Sequence, residues 1–139
     1  MFEPPPGFQP LHSSPFVGLL GPVYLKRDGE RPVFGVLVEP KHANTMDTLH
    51  GGVVAALVDI AAGRGTRLTI GESGPVRTVS MSLDFVAGVA VGGWVEAAVT
   101  VDYGGGRTIF TSCRVSSGDT LVARAQVILT RGTPRLGSG

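Results

Sequence analysis

The residue types able to do chemistry together gather in one stretch, Lys41 to Arg67, which reads KHANTMDTLHGGVVAALVDIAAGRGTR. A polar loop supplies His42, Asn44 and Asp47, a His50-Gly51-Gly52 turn follows, and a helical pattern then carries a single carboxylate, Asp59. Backbone N–H groups at a helix start lack an intrahelical acceptor and lie at the positive end of the helix dipole. The His-Gly-Gly turn therefore offers donors that could hold a polarised carbonyl oxygen. At 100° per residue, Val54, Leu57, Val58 and Ala61 form one apolar stripe, and Asp59 lies off it. Its helical neighbours, Ala55, Ala56, Ala62 and Gly63, are all small, which leaves room for another backbone or a ligand. Plainer roles remain open: a solvated surface acid at Asp59, a loop-fixing hydrogen bond at His50, and tight backbone geometry at Gly51 and Gly52.

The elements that must position this stretch can be read on either side of it. The helix itself is expected over about Gly52 to Leu68. Ser13 or Ser14 can cap a helical turn at Pro15–Leu20 ended by Gly21. Val23 to Lys26 and Val33 to Val38, joined by an Asp28-Gly29 turn, suit a hairpin. Beyond the helix, Val76 to Phe85 alternates, with Val79, Met81, Leu83 and Phe85 on one face and Thr78, Ser80, Ser82 and Asp84 on the other. Trp94–Tyr103, Thr108–Ser116 and Leu121–Thr130 read as further strands of a meander, with Gly104-Gly105-Gly106-Arg107 as a hairpin loop. One long helix with several antiparallel strands is an α+β pattern, and the helix must bury its stripe on the sheet. Residues 14–131 then form a single domain, between a flexible Pro-rich lead over 1–13 and a loose tail over 132–139.

Composition narrows the function classes. With 139 residues, 42% of them apolar, and a net charge of +1, the chain suits one globular domain and makes no electrostatic case for nucleic acid. It has no apolar run of membrane-spanning length. MFEPPPGFQP has neither the basic nor the apolar region of a secretory signal. The single cysteine, Cys113, excludes an internal disulfide and multi-thiolate zinc, and points to a reducing, cytoplasmic setting with Cys113 as a small buried residue.

Taken together, Asn44-x5-His50-Gly51-Gly52-x6-Asp59 followed by long strands resembles the hotdog-fold acyl-CoA thioesterases, in particular the phenylacetate-pathway (PaaI-like) type. The resemblance runs from about Ser14 to Thr130 and takes in the Phe16…Leu20-Gly21 segment, the Gly-Arg-Thr hairpin at 106–108 and the last strand. It implies an α+β hotdog fold, a five- to six-stranded antiparallel sheet wrapped around one long helix. It also implies homodimers whose sheets run together, which pair again as homotetramers, with active sites shared across the dimer interface.

In such a hydrolase Asp59 would face the partner subunit's Gly51, whose amide polarises the thioester carbonyl, and would act as general base or nucleophile. Asn44 and His50 would position the thioester or the water, and Thr78 would orient that water. Arg107, with Gly106, would contact the CoA phosphates, although a plain exposed turn arginine fits equally. The resemblance implies no metal and no cofactor beyond the CoA carried by the substrate. The acyl group implied is phenylacetyl-like or medium-chain. A non-catalytic acyl-CoA-binding domain and a hotdog hydratase or dehydratase are the alternatives. Asp47 stands where the family commonly has glycine, and Ala87–Gly93 lacks the family's usual proline.

Overall fold

Ser14 starts the first helix, α1 (Pro15–Leu20): its Oγ accepts the Val17 N–H at 3.3 Å, proline takes the first turn, and Gly21 ends it. The computed structural model describes residues 1–29 and 31–132; residues 133–139 of the expected tail lie outside the described residues. Strands β1 (Gln9–Pro10), β2 (Val23–Asp28) and β3 (Arg31–Leu37) precede the long helix α2 (Gly51–Ile70). Strands β4 (Val76–Phe85), β5 (Trp94–Tyr103), β6 (Thr108–Ser117) and β7 (Thr120–Arg131) follow it. All pair antiparallel in one sheet of order β1-β2-β3-β5-β6-β7-β4.

This is the α+β hotdog arrangement, with seven strands where five or six were expected. The additional strand comes from the Pro-rich lead, which lies against the sheet rather than free of it. Gln9 and Pro10 pair with β2, Phe8 is buried, and the Phe2 and Phe8 rings sit 5.6 and 5.2 Å from Trp94.

Helix α2 crosses the sheet chiefly over β3 and β5. Its predicted stripe, Val54, Leu57, Val58 and Ala61, is buried, and burial of the two valines and the leucine stabilises by about 1.5–3 kcal/mol each. Gly65 allows the close approach, since a Cβ there would lie 3.0 Å from Val99 Cγ2. The helix begins one residue before and ends two residues after the expected span. It stops at Gly71, whose φ of 69° is left-handed and whose N–H bonds the Arg67 carbonyl. Among the described residues no helix is long and apolar enough to cross a membrane.

Strand β4, the first after the helix, does not join the β5–β6–β7 meander at its near side. It lies at the far edge of the sheet and pairs only with β7. The alternation expected along it fails at one point: the register with β7 slips between Thr78 and Ser80. The extra residue is a bulge. It leaves Val79, expected on the inner face with Met81, 62% exposed, and turns Thr78, expected on the wetter face, toward α2.

Two buried groups test the packing. Cys113 on β6 is enclosed by the core, and burial pushes its thiol up to about 12, so it stays protonated and unreactive at neutral pH. Thr66 of α2 and Thr111 of β6 are fully enclosed and satisfy each other through Oγ1 atoms 2.8 Å apart. Thr66→Val should destabilise the fold by about 1–3 kcal/mol because it strands the Thr111 hydroxyl, whereas the Thr66→Val/Thr111→Val double variant should recover most of that loss. Urea unfolding of the three proteins checks this, and an additive double variant would overturn it.

Candidate active site

The site begins with the problem every helix start poses, that its first N–H groups need acceptors. At α2 these are disposed of unequally. His50 is the N-cap, extended at φ −66° and ψ 135°, and its ring Nδ1 accepts the Gly52 N–H at 2.8 Å. Its carbonyl accepts the Val53 and Val54 N–H groups at 2.9 and 3.2 Å. Among the described residues, no acceptor is found for the Gly51 N–H. That amide opens on a cleft of about 370 Å³ walled by Leu49, Gly51, Val54, Phe85, Val86 and Val122. Asn44 and Thr48 form its polar rim.

The preceding loop is tightly held. Asn44 Oδ1 accepts the Met46 and Thr48 N–H groups at 2.9 and 3.1 Å, and its amide nitrogen donates to Thr48 Oγ1 at 2.9 Å. Asp47 takes a φ of 59°, the left-handed conformation that a glycine would otherwise supply, so the departure from the family pattern keeps the backbone shape. His42 is not at the cleft but buried. Its Nδ1 accepts the Glu39 N–H at 3.0 Å, so its Nε2 carries the proton and donates to the Leu20 carbonyl at 2.6 Å. Its own carbonyl accepts the His50 N–H at 2.8 Å. His42 thus ties the end of α1 to the residue that caps α2.

Asp59 is exposed, as its place off the stripe requires, and Thr78 Oγ1 donates to its Oδ1 at 2.8 Å. The structure brings these two predicted site residues together, with Thr78 contacting the carboxylate itself. Beside Asp59 a Cβ on Gly63 would meet nothing within 4 Å, so the small-residue face is open. Within one chain Asp59 and Gly51 are not neighbours: eight residues of helix separate them, about 12 Å along the axis. Asn44, His50 and Gly51 therefore form one group, and Asp59 with Thr78 another.

Arg107 and Gly106 belong to neither. Gly104 of their hairpin packs near Ile70, at the far end of α2 from Gly51, and Arg131 bonds the carbonyls of both Gly106 and Arg107. At the same end Glu72 is held below the usual carboxylate range by the Gly74 N–H and by Arg131. A further depression of about 460 Å³ is on the outer sheet face among Ser82, Asp84, Ser112, Arg114, Arg124 and Gln126, away from both groups. The cleft walls at Phe85 and Val122 are not marked by any motif in the sequence. The apolar run Leu83–Val86 is visible there, but the pairing of β4 with β7 that carries it to Gly51 is not.

One long helix on an antiparallel sheet is the hotdog fold, and the family match defines the class as thioester hydrolase. The chain belongs to the thioesterase superfamily, whose model matches residues 46–124. It is 39% identical over 127 residues to a proposed esterase of Pseudomonas aeruginosa, covering 90% of this chain and 95% of that protein. Among solved structures it is similar to AziG of S. sahachiroi, at 28% identity and a TM-score of 0.78, covering 86% of this chain and 98% of that one. It is also similar to a mutant form of the phenylacetic acid degradation protein PaaI of Thermus thermophilus, at 26% identity and a TM-score of 0.73, covering 86% and 100%.

The buried histidine gives a direct test of how the site is held. His42→Leu leaves the Glu39 N–H and the Leu20 carbonyl without partners and should lower unfolding stability by about 2–4 kcal/mol. Thermal and urea unfolding read this, and wild-type stability in the variant would show that the loop is held by other means.

Proposed function

We propose that the protein hydrolyses acyl-CoA thioesters to the free acid and CoA, with an aryl (phenylacetyl-like) or medium-chain acyl group. The observation that carries the reading is the first-turn amide of Gly51, which has no acceptor among the described residues, on a residue that lines a cleft with Leu49, Val54, Phe85 and Val122. In the proposed reaction the thioester carbonyl oxygen accepts from Gly51 N–H, which stabilises the negative charge that oxygen gains. Acting as general base, Asp59 takes a proton from water as the water oxygen bonds to the carbonyl carbon. Collapse breaks the carbon–sulfur bond, and the thiolate leaves and takes up a proton. Acting as nucleophile, Asp59 would instead form an acyl anhydride that water then opens. In either role Thr78 steadies the carboxylate by its hydrogen bond.

Asn44 and His50 are proposed to shape the donor side, where one holds the loop and the other caps the helix. Arg107 with Gly106 is proposed to contact the CoA phosphates. No metal and no cofactor beyond the substrate's CoA enters the scheme, and the reaction is placed in the cytoplasm.

The separation of about 12 Å between Gly51 and Asp59 along one helix supports a homodimer in which each site takes one group from each subunit. Edge strand β4 supports it as well: among the described residues its outer side pairs with no strand, and Val79 lies exposed on it. Pairing of two such dimers into a tetramer is proposed from the family resemblance.

Gly51→Pro tests the donor. Proline suits the first helical position, and the extended His50 before it is the conformation a proline requires, so the change deletes the N–H with little else. Gly51→Ala is the control, since it adds a Cβ 3.2 Å from the same Phe85 ring but keeps the donor. Gly51→Pro should lose about 10²–10³ in kcat, measured as thiol release from an acyl-CoA panel, and Gly51→Ala far less. Equal rates for the two would remove Gly51 from the reaction.

Mixing tests the sharing. Gly51→Pro and Asp59→Asn, each inactive alone, should on refolding together regain about a quarter of wild-type activity, because half the dimers then contain one intact site. No recovery from a mixture shown to contain mixed dimers would mean that sites are not shared.

A further inference from the structure

We infer that Phe85 is the acyl-selecting wall of the site, favouring planar acyl groups that lie against its ring; this rests on the hydrolase reading above. The ring is placed unusually. A Cβ built on Gly51 would come within 3.2 Å of Phe85 Cε1 and 3.3 Å of Cζ, so the ring lies directly over the glycine that carries the free amide. The residue is nevertheless 60% exposed. One edge of the ring therefore lies at Gly51, and Phe85 also lines the cleft.

A phenylalanine left in solvent forgoes the burial that usually justifies it. Its backbone is held firmly, since Phe85 pairs with Ala123 of β7, and the Val86 and Ala87 N–H groups both bond the Val122 carbonyl, at 2.8 and 3.2 Å. A rigid strand end thus carries an exposed aromatic to the unpartnered amide.

The rest of the cleft sets the direction of the acyl group. Val54, Leu49 and Val122 are buried and apolar, whereas the polar rim lies at Asn44 and Thr48. A thioester whose carbonyl oxygen accepts from Gly51 N–H places the first acyl carbons beside the Phe85 ring and the remainder over the apolar wall. A flat group there gains offset or edge contact with the ring in addition to burial, and a linear chain gains burial alone.

The experiment compares phenylacetyl-CoA with hexanoyl-CoA on wild-type protein and on Phe85→Ala, Phe85→Leu and Phe85→Trp. It reads both kcat/KM and calorimetric binding. Because the ring is mostly exposed, the variants should fold, and the Leu variant retains the apolar wall if the Ala variant does not. Phe85→Ala and Phe85→Leu should each lose roughly threefold to tenfold of the aryl-over-linear ratio, and Phe85→Trp should keep it. An unchanged ratio in Phe85→Leu, in binding or in turnover, overturns the assignment. Wild-type protein that binds both compounds and cleaves neither sinks the proposed hydrolysis instead, while the binding ratio still reads Phe85.

Discussion

A helix cannot satisfy its own first amides, and this constraint shapes the protein's chemistry. At the start of α2 the chain supplies acceptors for Gly52, Val53 and Val54 from one residue, His50, through its ring and its carbonyl. Glycine at position 52 suits this, because a Cβ there would lie a tight 3.0 Å from the His50 Nδ1 that caps it. What remains is a single N–H, that of Gly51, at the positive end of a 20-residue helix. By capping Gly52, the histidine leaves the neighbouring Gly51 N–H without an acceptor among the described residues. Behind it, buried His42 fixes the His50 backbone, and Asn44 and left-handed Asp47 fix the loop. The polar residues clustered in the sequence mostly hold one another, and the direction of one N–H is the outcome.

The second constraint is the position of β4. A sheet strand alternates its side chains, so Thr78 in strict alternation with Met81 would point away from the helix. One extra residue between Thr78 and Ser80 reverses that, and the hydroxyl reaches Asp59. Bulges next to functional residues commonly re-aim a side chain in this way. Met81 and Leu83, beyond the bulge, keep their place against the core. The same strand therefore serves Asp59 at its start and Gly51 at its end, where the Phe85 ring sits. Strand and helix run in opposite senses, so the two halves of the site are held at opposite ends of one strand–helix pair.

What could be read in the sequence follows from which forces are local. The Ser14 cap, the apolar stripe of α2 and the β2–β3 hairpin depend on residues a few positions apart, and all stand where type and spacing predict them, whereas α2 runs two residues past its expected end before Gly71 stops it. The single acid among small residues is likewise a local pattern, and Asp59 is exposed beside open space at Gly63. The bulge in β4 has no such signature: Thr-Val-Ser-Met-Ser alternates perfectly on paper, and the slip shows only in the pairing with β7. The lead escaped for a related reason. Three prolines suggest a free segment, but the Trp94, Tyr24 and Phe8 rings that gather it are far apart in sequence and meet only once β2, β3 and β5 are side by side. Gly35 leaves the space for that cluster, since a Cβ there would lie 2.2 Å from the indole of Trp94.

Placing β4 at the edge has a further physical consequence. An unpaired edge of ten residues is an open template for another strand, and proteins usually blunt such edges with charge, proline or a cover. Here the edge carries Val79 exposed, and its charges are Arg77 near one end and Asp84 near the other. It also borders the small-residue face of α2, where Ala55, Asp59 and Gly63 present little bulk. In the proposed homodimer, a second copy meeting this edge in antiparallel sense would carry its own strand–helix pair in reverse, its Gly51 end against the Asp59 end of the first. The separation that keeps amide and carboxylate apart in one chain would then be the offset that brings them together between two.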